Sequence, residues 1–221
     1  DLSTQQQLEK MRADFVANAS HELRTPLASL TGFIETLQGP AKNDVKARDR
    51  FLGRMLEQAH RMRRLIDDLL SLSRIEMNLH RTPSDLVDMS EVARYSVELL
   101  AARAAEAGCQ VRLDAQPGMV VHGQRDELIQ VTQNLIENAL KYGASERGID
   151  VSVSYNRQRQ RIELSVADYG AGIDAQHLPR LTERFYRVSV QESRSGGGTG
   201  LGLAIVKHIA LRHRGQLDVT S

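Results

Sequence analysis

A chain of 221 residues that is 41% hydrophobic and 26% charged is ordinary globular material, with room for one large domain or two small ones. Its 29 Lys+Arg nearly balance 28 Asp+Glu, so at a formal net charge of +1 no global field selects nucleic acid or an anionic membrane, and any polyanion must be held by local geometry. The single cysteine, Cys109, excludes an internal disulfide framework and reads as a buried small hydrophobe in a reducing compartment. No run is long enough to span a bilayer and no signal peptide opens the chain, while its start at Asp1 without a methionine points to a piece of something longer.

From about Thr4 to Gln38 the apolar residues Leu8, Met11, Phe15, Ala19, Leu23, Leu27, Leu30, Ile34 and Leu37 step by threes and fours, which predicts one long helix softly interrupted at Pro26. Phe15, Ala19, Leu23 and Leu27 form an apolar stripe, and His21 stands roughly 200° around from it, so an imidazole is presented to water with Arg24 and Thr25 on the same patch. The segment Gln38-Gly-Pro-Ala-Lys-Asn-Asp44 carries helix breakers, and Asn43 or Asp44 is available to cap a second helix. That helix runs to about Asn78 with its seam at Leu52, Met55, Ala59, Met62, Ile66, Leu69 and Leu72. Met55 and Met62 read as core, and Arg61, Arg63 and Arg64 as a solvated face. The two helices make an antiparallel hairpin that cannot enclose its own apolar stripes, so a second copy across a two-fold axis is expected, giving a dimeric four-helix bundle.

At His80-Arg-Thr-Pro-Ser84 the texture changes. Ser90 and Glu91 open a helix through Leu99 and Ala105, with Gly108 as its stop. Period-two runs come next at Cys109 to Leu113, Ile149 to Tyr155, Ile162 to Val166 and Leu217 to Val219, interleaved with helices at about Arg125–Tyr142 and Gly202–His213. The polar stretch Asn156 to Gln160 reads as a hairpin turn, and the mixture predicts a sheet with helices on one face. The expected organisation is therefore α plus α/β: a helical hairpin over residues 1–80, a linker over 81–88 and an α/β domain over 89–221.

Three places in the second domain carry candidate chemistry. Asn134, Asn138 and Lys141 fall within roughly 60° of one another beside the face marked by Leu128, Val131, Leu135 and Ala139. Two carboxamides and an ammonium so placed suit a hydrated divalent cation and the phosphates it bridges, and equally suit a plain polar shoulder on an amphipathic helix. Asp168 follows a strand and precedes Gly170 and Gly172, which suits a carboxylate that accepts from an exocyclic amine on a flat ligand, although Gly-x-Gly is common in turns. Ser195-Gly-Gly-Gly-Thr-Gly-Leu-Gly202 runs into a helix N-terminus, an arrangement that offers N–H groups to phosphate, and the polar stretch from Val188 to Gly198 is a candidate lid. The other histidines, His60, His80, His122, His177, His208 and His213, lack metal-ligand spacing and read as surface or helix-end residues.

Together these segments resemble the histidine protein kinases of two-component signalling. Ser20-His-Glu-Leu-Arg-Thr-Pro26 resembles the family's H box, Asn134-Leu-Ile-Glu-Asn-Ala139 its N box, Asp168-x-Gly-x-Gly172 its G1 box, Glu183-Arg-Phe-Tyr-Arg187 its F box and Gly198-Thr-Gly-Leu-Gly-Leu-Ala204 its G2 box, in the family's order. The wording around His21, with Asp14-Phe-Val-Ala-Asn before it and Leu30-Thr-Gly-Phe-Ile-Glu-Thr-Leu37 after it, is similar to that of phosphate-regulon sensor kinases.

The resemblance implies a dimeric phosphotransfer bundle followed by an α/β-sandwich ATP-binding domain of the GHKL type, using ATP and Mg²⁺. It implies that His21 accepts the γ-phosphoryl group and passes it to an aspartate of a response-regulator receiver domain, that Glu22 orients the imidazole or takes its proton, and that Thr25 positions water for dephosphorylating the regulator. By the same resemblance Asn138 ligates Mg²⁺, Asn134, Lys141 and Tyr142 lie near the phosphates, and Asp168 reads the adenine amine, with Gly170 and Gly172 letting the backbone approach the ring. Phe185 and Arg187 would serve the lid's hinge and its phosphate contacts, and Gly198, Thr199, Gly200, Leu201 and Gly202 the phosphate loop. A cytoplasmic location is implied, in a bacterial sensor held in the inner membrane by segments outside this chain, with no nucleic-acid partner. Tyr169 stands where the family often has Asn and is expected to alter the polarity of the adenine pocket, and the chain stops at Ser221 inside the last expected hairpin. Two other readings share some of these motifs: another ATPase of the same superfamily, which leaves an exposed bundle histidine unexplained, and an inactive dimeric scaffold, against which His21, Asn138 and Asp168 together argue.

Overall fold

The computed structural model describes residues 2–188 and 198–221, with side chains from Ala13 onward. Helix α1 (Leu2–Gln38) and helix α2 (Val45–Met77) form the expected hairpin. Phe33 stacks on Phe51 with ring centroids 5.4 Å apart and Glu22 pairs with Arg61, so partners run in opposite directions along the two helices. Of the two residues offered as caps, Asp44 serves: its Oδ1 accepts from Ala47 N at 2.9 Å. Helix α1 continues through Pro26, which is fully buried although it can donate nothing to the Glu22 carbonyl. Ser20, Thr25, Ser29, Thr31 and Thr36 each donate a hydroxyl to the carbonyl four residues back, a habit that slackens a helix without ending it.

The apolar stripes differ from the expected ones. Leu27 is 54% exposed where Pro26 turns inward, and in α2 Leu52 and Ile66 are exposed while Phe51 and Leu65 take the inner positions. Each helix carries apolar residues on two faces, and spacing by threes and fours does not say which face meets the hairpin partner. The face left uncovered holds Val16, Leu27 and Ile34 on α1, and Leu52, Leu56, Ile66 and Leu70 on α2.

The chain divides into two units inside α2, between Ser71 and Leu72: the first holds the helices up to that point with residues 198–201, and the second holds Leu72–Val188 and Gly202–Ser221. The change of texture in the sequence suggests residue 80 instead. The last turn of α2 and the segment after it are tied into the second unit, where Arg184 pairs with Glu76 and Arg212 Nε donates to the carbonyls of Asn78 (3.1 Å) and Arg81 (3.2 Å).

In the second unit, strand β1 (Leu86–Asp88) leads into α3 (Met89–Glu106), followed by β2 (Val111–Ala115), β3 (Val120–His122), α4 (Arg125–Tyr142), β4 (Ile149–Asn156), β5 (Arg161–Ala167), a 3₁₀ turn at Leu178–Arg180 and α5 (Gly202–Arg212). Asp88 caps α3, its carboxylate accepting from Ser90 N and Glu91 N, and Gly108 at φ +63° takes the left-handed turn that ends it. The main sheet has order β2-β4-β5, with β2 parallel to β4 and β5 antiparallel to it, and β1 pairs antiparallel with β3. Along β4, Ile149, Val151 and Val153 are buried and their neighbours are not, so the helices cover one face only, as expected. On α4 the buried face centres on Thr132 and Ile136 instead of Val131 and Leu135, which are half-buried, because α4 packs against both α3 and α5. The Asn156 turn is as expected: Asn156 Oδ1 accepts from Gln158 N and Arg159 N.

Two short strands, β1 and β3, carried no usable period in three residues each. The expected strand at Leu217 to Val219 is absent; those two residues alternate toward the core, but the segment is tied by side chains, Arg159 to Asp218 at 2.8 Å and Ile173 N to Ser221 Oγ at 2.7 Å, instead of by a ladder. Replacing Asp88 by Ala is expected to destabilise the second unit by about 1 kcal/mol through the lost cap, measured as a lower denaturant midpoint with unchanged m.

Candidate functional site

His21 lies exposed on α1, one turn before Pro26, and its backbone carbonyl accepts the Thr25 hydroxyl at 3.2 Å. Arg24 and Thr25 are exposed as well, so the patch expected around the imidazole is present. Glu22 is half-buried and points toward α2, where Arg61 Nη2 donates to its Oε2 at 3.0 Å. Arg61 is expected to be solvated with Arg63 and Arg64, yet its side chain is only 12% exposed; the other two are exposed as expected. The signal that separates it is its register opposite Glu22, which only the hairpin pairing reveals.

The second group gathers where α4 ends beside the end of β5. Asn134 donates from Nδ2 to the Gly202 carbonyl at 3.4 Å, which joins the middle of α4 to the start of α5. Asn138, about one turn further along, is half-buried with no hydrogen bond among the described residues, so its carboxamide is free to bind. Lys141 Nζ is buried without a hydrogen-bond acceptor among the described residues and sits 4.5 Å from the centre of the Tyr142 ring. A buried ammonium in that state is costly unless an anion meets it. Asn138 as an oxygen donor beside such a cation fits Mg²⁺ held mainly by phosphates and water, the habit of an ion that rarely takes an all-protein cage. No cluster of three or more His, Cys, Asp or Glu suited to a metal occurs among the described residues.

Asp168 follows β5 directly and accepts from Gly170 N at 3.0 Å. It is pressed against Gly143, the residue that ends α4: a Cβ there would fall 2.0 Å from Asp168 Cγ, and a Cβ on Gly170 would fall 2.7 Å from Gly143 Cα. Gly143 is not among the residues expected at the site; its place directly after Tyr142 at a helix end is the one sequence signal for it. Gly172, at φ +79°, provides the left-handed turn the motif requires. The Tyr169 hydroxyl donates to Asp150 Oδ2 at 2.6 Å on β4. Hydrogen bonds from Arg112 and then Tyr169 hold the Asp150 carboxyl below its ordinary value, and the Tyr169 phenol is raised chiefly by its bond to Asp150. With its pKa lowered on folding, Asp150 supports this pairing above about pH 4 and gives it up as acidification passes through the depressed value.

Phe185 is half-buried at φ +63°, a left-handed conformation rare for an aromatic residue, and Arg187 is half-buried two residues later. Between them Tyr186 is held by His177 Nδ1 at 2.6 Å and by the Arg180 guanidinium 4.2 Å from its ring centre. Of the glycine-rich run, Gly202 is the residue set against α4, with Asn134 Cγ 3.8 Å from where its Cβ would be. Gly198, Thr199, Gly200 and Leu201 belong to the first unit, where the Thr199 hydroxyl donates to Asp68 at 2.6 Å and accepts from Leu201 N at 3.3 Å. The lid expected between Val188 and Gly198 lies, for residues 189–197, outside the described residues.

Replacing Gly143 by Ala is expected to force Asp168 away, at a cost of roughly 1–3 kcal/mol in stability, and to shift the backbone amide resonances of residues 168–172 selectively.

Residues 11–78 match the His Kinase A (phospho-acceptor) domain, and residues 123–221 match the histidine kinase-, DNA gyrase B-, and HSP90-like ATPase. Over its whole length the chain is 43% identical to the phosphate regulon sensor protein PhoR of Pseudomonas aeruginosa, covering 49% of that protein, and 38% identical to the sensor-like histidine kinase SenX3 of Mycolicibacterium smegmatis, covering 57% of it. The chain thus spans about half the length of these curated relatives. Among solved structures it resembles the Acinetobacter baumannii histidine kinase AdeS, with a TM-score of 0.64 at 27% identity over 87% of this chain and 86% of that one. It also resembles full-length ShkA, solved in complex with AMPPNP, with a TM-score of 0.60 at 26% identity over 90% of this chain and 41% of that one. With an exposed histidine on a hairpin that matches the phospho-acceptor domain and an ATPase-domain match following it in the sequence, the chain belongs to the sensor histidine kinases of two-component systems.

Proposed function

We propose that this chain is the catalytic core of an ATP-dependent protein-histidine autokinase that phosphorylates His21 and passes the phosphoryl group to an aspartate of a response-regulator receiver domain. The observation that carries the reading is the buried ammonium of Lys141 and, one turn before it, the carboxamide of Asn138, both without a hydrogen-bond partner among the described residues, in the same chain as a solvent-facing imidazole at His21. The His21 Nε2 lone pair forms the N–P bond while the bond from γ-phosphorus to the bridging oxygen breaks, and ADP leaves with that electron pair. The Nδ1 proton passes to Glu22 or to water, with Arg61 holding the Glu22 carboxylate in place. In the second transfer the regulator's carboxylate oxygen attacks phosphorus, the N–P electron pair returns to Nε2, and Nδ1 takes a proton back from Glu22 or water. Thr25, one turn after His21, orients water for hydrolysis of the regulator's acyl phosphate, giving the same hairpin a phosphatase activity.

On the nucleotide side Asp168 accepts from the adenine amine, while Gly170 and Gly172 admit the ring. Asn134, Lys141, Tyr142 and Arg187 meet the phosphates, helped by the backbone of Gly198, Thr199, Gly200, Leu201 and Gly202, and Phe185 serves as a hinge. Asn138 would hold Mg²⁺, which would supply charge neutralisation at the phosphate oxygens. The AMPPNP bound to ShkA supports this use of the domain. The uncovered stripe of Leu27, Ile34, Leu52, Leu56, Ile66 and Leu70 supports a homodimer through the hairpin, closed as a four-helix bundle. No helix of the described residues is long and apolar enough to cross a membrane, so inner-membrane anchorage belongs, in this reading, to segments outside the chain. The name of the Pseudomonas relative supports phosphate as the sensed condition.

Incubation with γ-labelled ATP and Mg²⁺ is expected to give an acid-labile, base-stable label that is absent in His21→Gln and Asn138→Ala and after chelation of the metal. Label that survives His21→Gln overturns the mechanism. Thr25→Ala is expected to spare autophosphorylation and to slow regulator dephosphorylation about tenfold or more, tracked as a time course with purified regulator.

A further inference from the structure

The open face of the sheet carries a network that ends at the loop holding Asp168. Side chains alternate along β4, so Ile149, Val151 and Val153 enter the core while Asp150 faces the other way. In the sheet register Arg112 of β2 stands opposite Asp150 of β4, which in turn stands opposite Ala167 of β5. Carried on past Ala167, the same period sends Tyr169 to the open face with Asp150 and sends Asp168 to the helix-covered side, where α4 ends at Gly143. The contacts agree with this. Arg112 Nε donates to Asp150 Oδ1 at 2.6 Å and the Tyr169 hydroxyl donates to Asp150 Oδ2 at 2.6 Å. Arg112 Nη1 donates to the Arg147 carbonyl at 2.6 Å, and the Arg147 guanidinium lies 5.8 Å from the centre of the Tyr169 ring.

One carboxylate therefore anchors both walls of the Asp168 seat. Tyr169 is the covalent neighbour of Asp168, and Arg147 belongs to the short segment that begins at Gly143, the residue against which Asp168 is wedged. Arg112 and Asp150 are 44% and 39% exposed, and ion pairs so exposed add little to stability, whereas a charge-assisted, two-sided grip on a carboxylate gives direction. We infer that Tyr169, acting through Asp150 and Arg112, is a positioning residue for adenine: the cross-strand tie Arg112–Asp150–Tyr169 holds residue 168 in register against Gly143, so that the Asp168 carboxylate faces the exocyclic amine. The inference rests on the nucleotide reading proposed above and deepens it. It gives the tyrosine at this position a role in base specificity, exerted from the far face of the sheet.

Tyr169→Phe keeps the ring under Arg147 and removes only the hydroxyl that reaches Asp150, so the fold should hold, with an unchanged circular dichroism spectrum and melting midpoint. The test is equilibrium binding of ATP and of inosine triphosphate, which has a carbonyl where ATP has the amine, to the full chain and its variants, with Asp168→Asn as the benchmark for lost adenine reading. Tyr169→Phe and Asp150→Ala are each expected to weaken ATP about tenfold while leaving inosine triphosphate unchanged, and the double variant to do no more than either single one. Unchanged ATP affinity in Tyr169→Phe, or equal losses for both nucleotides, overturns this inference and leaves the nucleotide reading standing. An unaltered chain that binds neither nucleotide removes that reading and the inference with it.

Discussion

The close approach of Gly143, Asp168 and Gly170 governs the second unit. The end of α4 and the end of β5 meet so tightly that neither glycine has room for a Cβ, and the carboxylate between them is held by its contact with one glycine and by the N–H of the other. Everything that makes the site usable is measured from that point. Lys141 and Asn138 lie within the last turns of the helix that ends there, and Gly202 begins the helix that packs against it. Burial of Ile136, Ile205 and Ile209 fixes how the helices seat on one another, and so how far the polar edge of α4 stands from the strand ends.

The hairpin solves a different problem. Each of its helices carries more apolar surface than its partner can cover, and the surplus forms one exposed stripe. On the remaining surface the chain places a histidine, with a slackened turn and a buried proline just beyond it. Five hydroxyl back-bonds relax α1, so the helix survives the missing donor of Pro26 without a break. Glu22 is anchored to the second helix through Arg61, which leaves the imidazole beside it as the group turned to water.

Much of this is legible in the sequence because it depends on local spacing. The two long helices, the α3 start near Ser90 and Glu91, the β4–β5 hairpin at Asn156 and the exposure of His21 arise from periods of 3.6 and 2 and from cap and turn chemistry that act within a few residues. The order of the five motifs carries the family, and the matches over residues 11–78 and 123–221 agree with it. The failures share a cause. Choosing between Phe51 and Leu52, or between Ile136 and Leu135, requires knowing which neighbour the helix meets, and strands of three residues or a terminal segment without a ladder leave no period to read.

What the sequence determined alone is the chemistry on offer: an imidazole on a helix, an amide-rich helix, an acid at a strand end and glycines around it. Only the tertiary structure decided which of these meet. Arg61 gains its role from lying opposite Glu22 across the hairpin, Gly143 from touching Asp168, and Tyr169 from a sheet register that points it away from Asp168 and into a shared carboxylate with Arg112. The reason is physical: periodicity sets the direction of a side chain relative to its own backbone, whereas pairing partners far apart in the chain are set by packing and strand register, which no local pattern encodes.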